Sequence, residues 1–242
     1  MPALSAFPRR IWDDLLALVV RPLHFDGQDW TRLGLGTAAV GVTAAFDDRV
    51  RTYVQDHSAA GSRDLANRLR PLGSWHGPAL MVVLWGVGEL TGNANLAATG
   101  ADGLEATLFA VGLVTPFAQA VVGRERPSAG NGQYSFRPFS GAASFPSGEV
   151  TQAFALASLV TAHTDSVVLR SVVWGLAGVV GWERVELDRH WASDVVAGAL
   201  IGSAVGRWVV HRQEPSRRTG VVWGWQPIVG PGRFGVHVAA SW

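Results

Sequence analysis

The stretch Glu183-Arg184-Val185-Glu186-Leu187-Asp188-Arg189-His190-Trp191-Ala192-Ser193-Asp194 decides how this chain is read. It closes one apolar segment, Val167 to Trp182, and opens another, Trp191 to Val210, so its polar residues gather where two helices meet. His190 and Asp194 are four residues apart and share one face of the opening turn, where a carboxylate can hold an imidazole in a single tautomer. Arg184, just before the turn at Asp188-Arg189, offers the planar fork of donors that suits a phosphoryl group. The junction reads as a phosphate site with a histidine nucleophile.

Two upstream stretches fit the same chemistry. In Gln119-Ala120-Val121-Val122-Gly123-Arg124-Glu125-Arg126-Pro127 an apolar helix runs into arginine and then proline, which a helix interior does not tolerate, so Arg126 sits at a helix end. In Ser144-Phe145-Pro146-Ser147-Gly148-Glu149 a Pro-Ser-Gly turn opens the apolar run Val150 to Val160. Free backbone N–H groups and the Ser147 hydroxyl would there face a bound anion.

Arg-Pro, then Pro-Ser-Gly, then Arg-x5-His-x3-Asp, in this order, resemble the type 2 phosphatidic acid phosphatase and vanadium haloperoxidase superfamily, in its membrane lipid phosphatase branch. The motifs span Gln119 to Asp194, and the helical pattern extends the resemblance to most of residues 75–211. It implies an all-α, six-helix, membrane-embedded core and a hydrolase acting on a lipid phosphate or pyrophosphate. It also implies His190 as nucleophile, Asp194 as its orienter, and Arg126, Arg184, Ser147 and Gly148 as phosphate ligands. Two positions depart from the pattern: Gln119 stands where the family has lysine, and Glu149 where it has the acid–base histidine. A milder change puts Glu183 where serine usually precedes the arginine. Glu149 can replace the acid if burial or nearby negative charge raises its pKa, which gives an acidic pH optimum, whereas Arg124, Arg126 and Arg184 would pull that pKa down and leave an ionised carboxylate that repels phosphate; Gln119 keeps a place among the phosphate ligands. Two alternatives accompany this reading: a catalytically impaired relative that binds an anionic lipid or phosphate, and a vanadium-dependent haloperoxidase.

The 242 residues, 48% hydrophobic and 16% charged, suffice for a sizeable interior. A formal charge of +1, with arginines spread along the chain, gives no basic stripe, so no nucleic-acid partner is expected. Cysteine is absent, which removes thiol catalysis and disulfides. No cofactor or metal is expected: His24, His57, His163, His211 and His237 have no partners at ligand spacing. His76, in a turn before a helix, reads as a surface or capping residue.

Three regions follow. Residues 1–30 form an amphipathic segment, with Ile11, Leu15, Leu18 and Val19 on one helical face and Asp13 and Asp14 interrupting any secretory signal. Residues 31–212 hold the helical core: Leu33 to Phe46, Pro78 to Leu90, Leu104 to Val122, Val150 to Ala162, Val167 to Trp182 and Trp191 to Val210. Residues 213–242 alternate around Gly230-Pro231-Gly232 as a β-hairpin. Arg9, Arg10, Arg21, Arg212, Arg217 and Arg218 flank the helices opposite the site, so the positive-inside rule turns the site outward from a bacterial-type inner membrane. A periplasmic soluble or peripheral protein is the alternative.

Overall fold

The computed structural model describes residues 7–218, 222–230 and 233–241, with side-chain surroundings as far as residue 213. Two compact units divide the chain, Met1–Val209 and Val210–Trp242. The first is helical: α1 (Phe7–Val20), α2 (Gly27–Ala44), α3 (Asp47–His57), α4 (Ala60–Leu69), α5 (His76–Thr91), α6 (Ala94–Phe109), α7 (Thr115–Val122), α8 (Gly148–Ala162), α9 (Val167–Glu186) and most of α10 (Ala192–Arg218). In the second unit β1 (Val222–Gly230) pairs antiparallel with β2 (Arg233–Ser241), from Val222 opposite Ser241 to Gly230 opposite Arg233.

Ten α-helical segments are thus described where the sequence pattern predicts six core helices after an N-terminal one. The additional α3 and α4 are short, and their charged runs, Asp47-Asp48-Arg49-Val50-Arg51 and Arg63-Asp64, hide the apolar period. α6 begins ten residues before Leu104, where the Asn93 side chain accepts the Leu96 N–H as an N-cap. A single π-turn, Ala110–Val114, joins α6 to α7. Pro116 cannot donate to the helical ladder, and the wider turn lets the helix run on through it.

Glycines set how closely the helices approach. On α10, a Cβ at Gly198, Gly202 or Gly206 would lie 2.7, 2.1 or 2.4 Å from the carbonyl oxygens of Ser147, Thr151 and Ala155 on α8. Backbone therefore lies on backbone, and the Ser147 N–H donates to the Asp194 carbonyl at 3.1 Å. α7 ends at Gly123, which has φ +57° and where a Cβ would stand 1.9 Å from the Arg137 carbonyl oxygen. The end of α7, the start of α8 and the α9–α10 junction consequently meet at one end of the bundle.

α1 docks through charge as well as apolar area. Arg10 donates to Asp102 at 2.6 Å and contacts Glu105, both on α6 and both buried. His163, after α8, lies 3.0 Å from the other Asp102 oxygen, so this histidine has a partner that its sequence neighbours do not reveal.

Among the described residues two helical stretches are long and apolar enough to cross a bilayer, Ala94–Val122 and Ala192–Gln213, and only 28% of the first one's apolar window is buried. Leu90, Phe117 and Val168 are at least 70% exposed, and Leu108, Leu113, Val121, Val172 and Leu176 lie open as well. In water that much exposed apolar surface is costly; against lipid tails it is not.

Candidate active site

The turn after α9 is held from outside. Asp188 takes the left-handed conformation at φ +56°, which aspartate tolerates better than most residues. Arg51 of α3 grips its carboxylate with two bonds, of 2.7 and 2.8 Å. The Arg184 carbonyl accepts the N–H groups of Arg189 and His190, which folds the loop back over Arg184.

His190 is 2% exposed. Its Nδ1 lies 2.8 Å from the Ser144 carbonyl oxygen, and a carbonyl only accepts, so Nδ1 carries a proton and the tautomer is fixed. Nε2 faces Glu149 Oε2 at 3.4 Å. Glu149 Oε1 in turn accepts from Arg184 Nη1 at 2.7 Å, so one carboxylate bridges the imidazole and the guanidinium.

Asp194 is placed differently from the expectation of a direct His–Asp pair. Its nearest oxygen is 3.8 Å from Nδ1, too long for a hydrogen bond. The carboxylate is occupied by Ser144 Oγ at 2.6 Å, the Trp191 N–H at 2.9 Å and Arg124 Nη1 at 2.7 Å. Asp194 thus holds Ser144, and the Ser144 carbonyl holds His190.

The surroundings of His190 favour its protonated form. Burial works against a charged imidazole, yet Asp194 and Glu149 outweigh it and raise the His190 pKa above 6.5. Burial likewise opposes the Glu149 carboxylate, but His190 and the Arg184 charge bring its pKa down to about 2. Of the two states the sequence leaves open to Glu149, a raised acid or a carboxylate held by arginine, the resting site favours the second.

Ser147 is fully buried and its hydroxyl has no partner. Arg184 Nη2 lies 2.5 Å from Glu183 Oε1, but the bond from Glu183 is taken along Nε at 2.6 Å, and Nη2 has no hydrogen-bond partner of its own. The Ser147 hydroxyl and Arg184 Nη2 thus make no hydrogen bond among the described residues, although Nη2 keeps its ion-pair contact with Glu183, and an anion's oxygens would suit both. Gly148 opens α8, and its first amides add the positive end of a helix.

Two expected ligands are elsewhere. Arg126 is exposed, and its guanidinium makes no hydrogen bond or ion pair among the described residues. Gln119 donates to the Pro146 carbonyl at 3.1 Å, so it supports the Pro-Ser-Gly turn from behind. The buried arginine is Arg124, 2% exposed and bonded to Asp194, Ser193 and Asp47. Nothing in the local sequence separates Arg124 from Arg126, because the selecting partner, Asp47, lies 77 residues away. Among the described residues no cluster of histidine and carboxylate side chains is arranged to hold a metal ion.

The chain is 43% identical over 84 residues to a lipid A 1-phosphatase of Porphyromonas gingivalis, a match covering 31% of this chain and 18% of that protein. It is 37% identical over 130 residues to an Escherichia coli protein named as a candidate undecaprenyl-diphosphatase, covering 52% of this chain and 60% of the relative. Less than two thirds of each relative's length is matched. Among solved structures, Aquifex aeolicus LpxE superposes with a TM-score of 0.51 at 19% identity, over 69% of this chain and 95% of that one. A transmembrane PAP2-type phosphatidylglycerolphosphate phosphatase from Bacillus subtilis gives 0.53 at 16% identity, over 87% and 97%. These likenesses concern the fold. The profile of the PAP2 superfamily matches residues 103–218, which include α7, α8, α9 and every residue of the His190 cradle. Over those residues the chain is similar to the PAP2 superfamily.

Proposed function

We propose that this protein is a membrane phosphatase that hydrolyses a lipid phosphate or pyrophosphate through a phosphohistidine at His190. The supporting observation is the His190 imidazole, with Nδ1 tied to Ser144 and Nε2 facing the Glu149 carboxylate that also takes Arg184, while the buried Ser147 hydroxyl and Arg184 Nη2 make no hydrogen bond among the described residues and are the donors left for an anion. Phosphoryl oxygens fill those donors and the α8 amides. They also draw Arg184 away from Glu149, which raises that carboxylate's affinity for a proton.

The proton on His190 Nε2 then passes to Glu149 Oε2. This leaves a neutral nucleophile and a carboxylic acid side by side. Nε2 attacks phosphorus, the bond to the leaving oxygen breaks, and that oxygen takes the Glu149 proton. In the second half a water attacks phosphorus, the P–N bond breaks, and the water's proton returns to Glu149. Inorganic phosphate leaves, and the pair again holds one proton.

Lipids are the natural substrates for a site at the end of two bilayer-length helices. Ala94–Val122 ends near the site and Ala192–Gln213 begins there, so both reach the same membrane surface. The positive-inside argument turns that surface outward.

The test is phosphate release from lipid A and from undecaprenyl diphosphate in detergent micelles, for wild type and His190→Ala. The variant is expected to lose about three orders of magnitude or more. Equal rates would end the proposal. The impaired-relative reading draws on the Glu149 bridge between Arg184 and His190 and on Gln119 in place of lysine. Gln119→Lys with Glu149→His distinguishes it: turnover by the restored protein alone would favour binding without catalysis.

A further inference from the structure

We infer that Asp47, on α3 and outside the matched PAP2 residues, is a positioning residue for His190 that acts through Arg124 and Asp194. The inference rests on the reading of His190 as nucleophile. Asp47 is fully buried at the first turn of α3. One of its oxygens accepts from Arg124 Nη2 at 2.8 Å and from Ser193 Oγ at 2.5 Å, and the other accepts from the Ser193 N–H at 2.9 Å. Arg124 Nη1 reaches Asp194 at 2.7 Å, and Asp194 holds the Ser144 hydroxyl, whose residue's carbonyl takes His190 Nδ1–H. Arg124 closes the loop through its backbone as well, since its carbonyl accepts the Ser144 N–H at 3.0 Å.

One guanidinium charge is therefore divided between two carboxylates, in surroundings where Asp47, Arg124, Asp194 and His190 are each at most 2% exposed. Asp47 determines how much of that charge Asp194 receives. With Asp47 present, Asp194 keeps part of its negative potential, and that potential reaches the imidazole. The other charged groups around His190 are Glu149 on α8, Arg184 and Glu183 on α9, Asp188 and Arg189 in the turn, and Arg51 on α3. Of these only Arg51 shares Asp47's helix, and its charge is paired with Asp188.

The test follows the His190 imidazole by NMR titration of the full chain in detergent, the resonance being assigned by its loss in His190→Ala. In Asp47→Asn, Arg124 belongs wholly to Asp194, and His190 is expected to titrate about one unit lower than in wild type. The alkaline limb of kcat/KM moves down with it, kcat falls about tenfold and KM stays near wild type. Asp47→Asn with Arg124→Gln removes one carboxylate and the guanidinium together and leaves the Asp194 charge to the Ser144 hydroxyl, the Trp191 N–H and His190; it serves where the single variant does not fold. There Asp194 loses its cation, and His190 is expected to titrate above wild type. Opposite shifts support the inference. An unmoved His190 in either folded variant, or shifts in the same direction, would overturn it by leaving Asp47 a purely structural role. The titration requires no turnover, so an inactive wild type would sink the proposed function and leave this result readable.

Discussion

Glu149 and His190 share one proton across the interval between their two pKa values, and the chemistry requires that single-proton state. Below about 2 both groups are protonated and the nucleophile is blocked; above the raised His190 value the proton is gone and no acid remains. The rate should therefore hold a plateau from acid to neutral pH and fall on the alkaline side, above 6.5, in a pH profile of kcat/KM. Glu149→Gln keeps the shape and loses the proton carrier, and about 10²-fold or more in kcat should go with it. Stability follows with its own signs. The depressed Glu149 contributes above its unfolded value near 4.5 and loses that contribution as pH falls toward about 2. The raised His190 contributes fully below 6.5 and loses it as pH rises through its folded value. The pair thus stabilises most between 4.5 and 6.5. Unfolding midpoints of wild type measured against Glu149→Gln across pH should differ most inside that interval.

At the scale of elements, the contact of α10 with α8 determines whether the cradle exists. Gly202 has no room for a side chain, since a Cβ there would press into the Thr151 carbonyl at 2.1 Å. Gly202→Ala should cost about 1–3 kcal/mol by overpacking. It should also lower kcat, because pushing α10 outward draws Asp194 away from Ser147 and Ser144. Gly178 on α9 is the control: nothing lies within 4 Å of a Cβ there. Gly178→Ala should raise helix stability by up to about 1 kcal/mol without affecting turnover. Thermal unfolding and initial rates of the two variants, measured together, separate close packing from helix propensity. The short α3 matters as much, because its Arg51 clamps the Asp188 turn and its Asp47 meets Arg124.

For the whole molecule, the exposed apolar side chains of α5, α7 and α9 and the two bilayer-length helices suit a lipid environment. Detergent or vesicles should be required to keep the protein monodisperse, which light scattering after detergent removal would check. The proposed orientation turns the site outward. A reporter fused after Trp242 should then be active only in the cytoplasm, and activity only outside would reverse the orientation.

The sequence by itself determined the helical class and the order of the three motifs, and it brought out His190, Glu149, Arg184, Ser147 and Asp194, while it misplaced Arg126 and Gln119 and passed over Arg124. These depend on short-range spacing: His190 and Asp194 lie one turn apart, and Ser147-Gly148 starts a helix, whereas the helix that Pro127 was expected to end stops earlier, at Gly123. Tertiary structure alone decided which arginine is buried and how the histidine is held. Arg124 goes inward because Asp47, in a helix that charge conceals, waits for it, while Arg126, two residues on, meets solvent. The state of Glu149 also depended on the fold. Burial alone would have kept its proton, but Arg184 and His190 arrive from other helices to hold the carboxylate, and opposite charges at hydrogen-bond distance outweigh the loss of water.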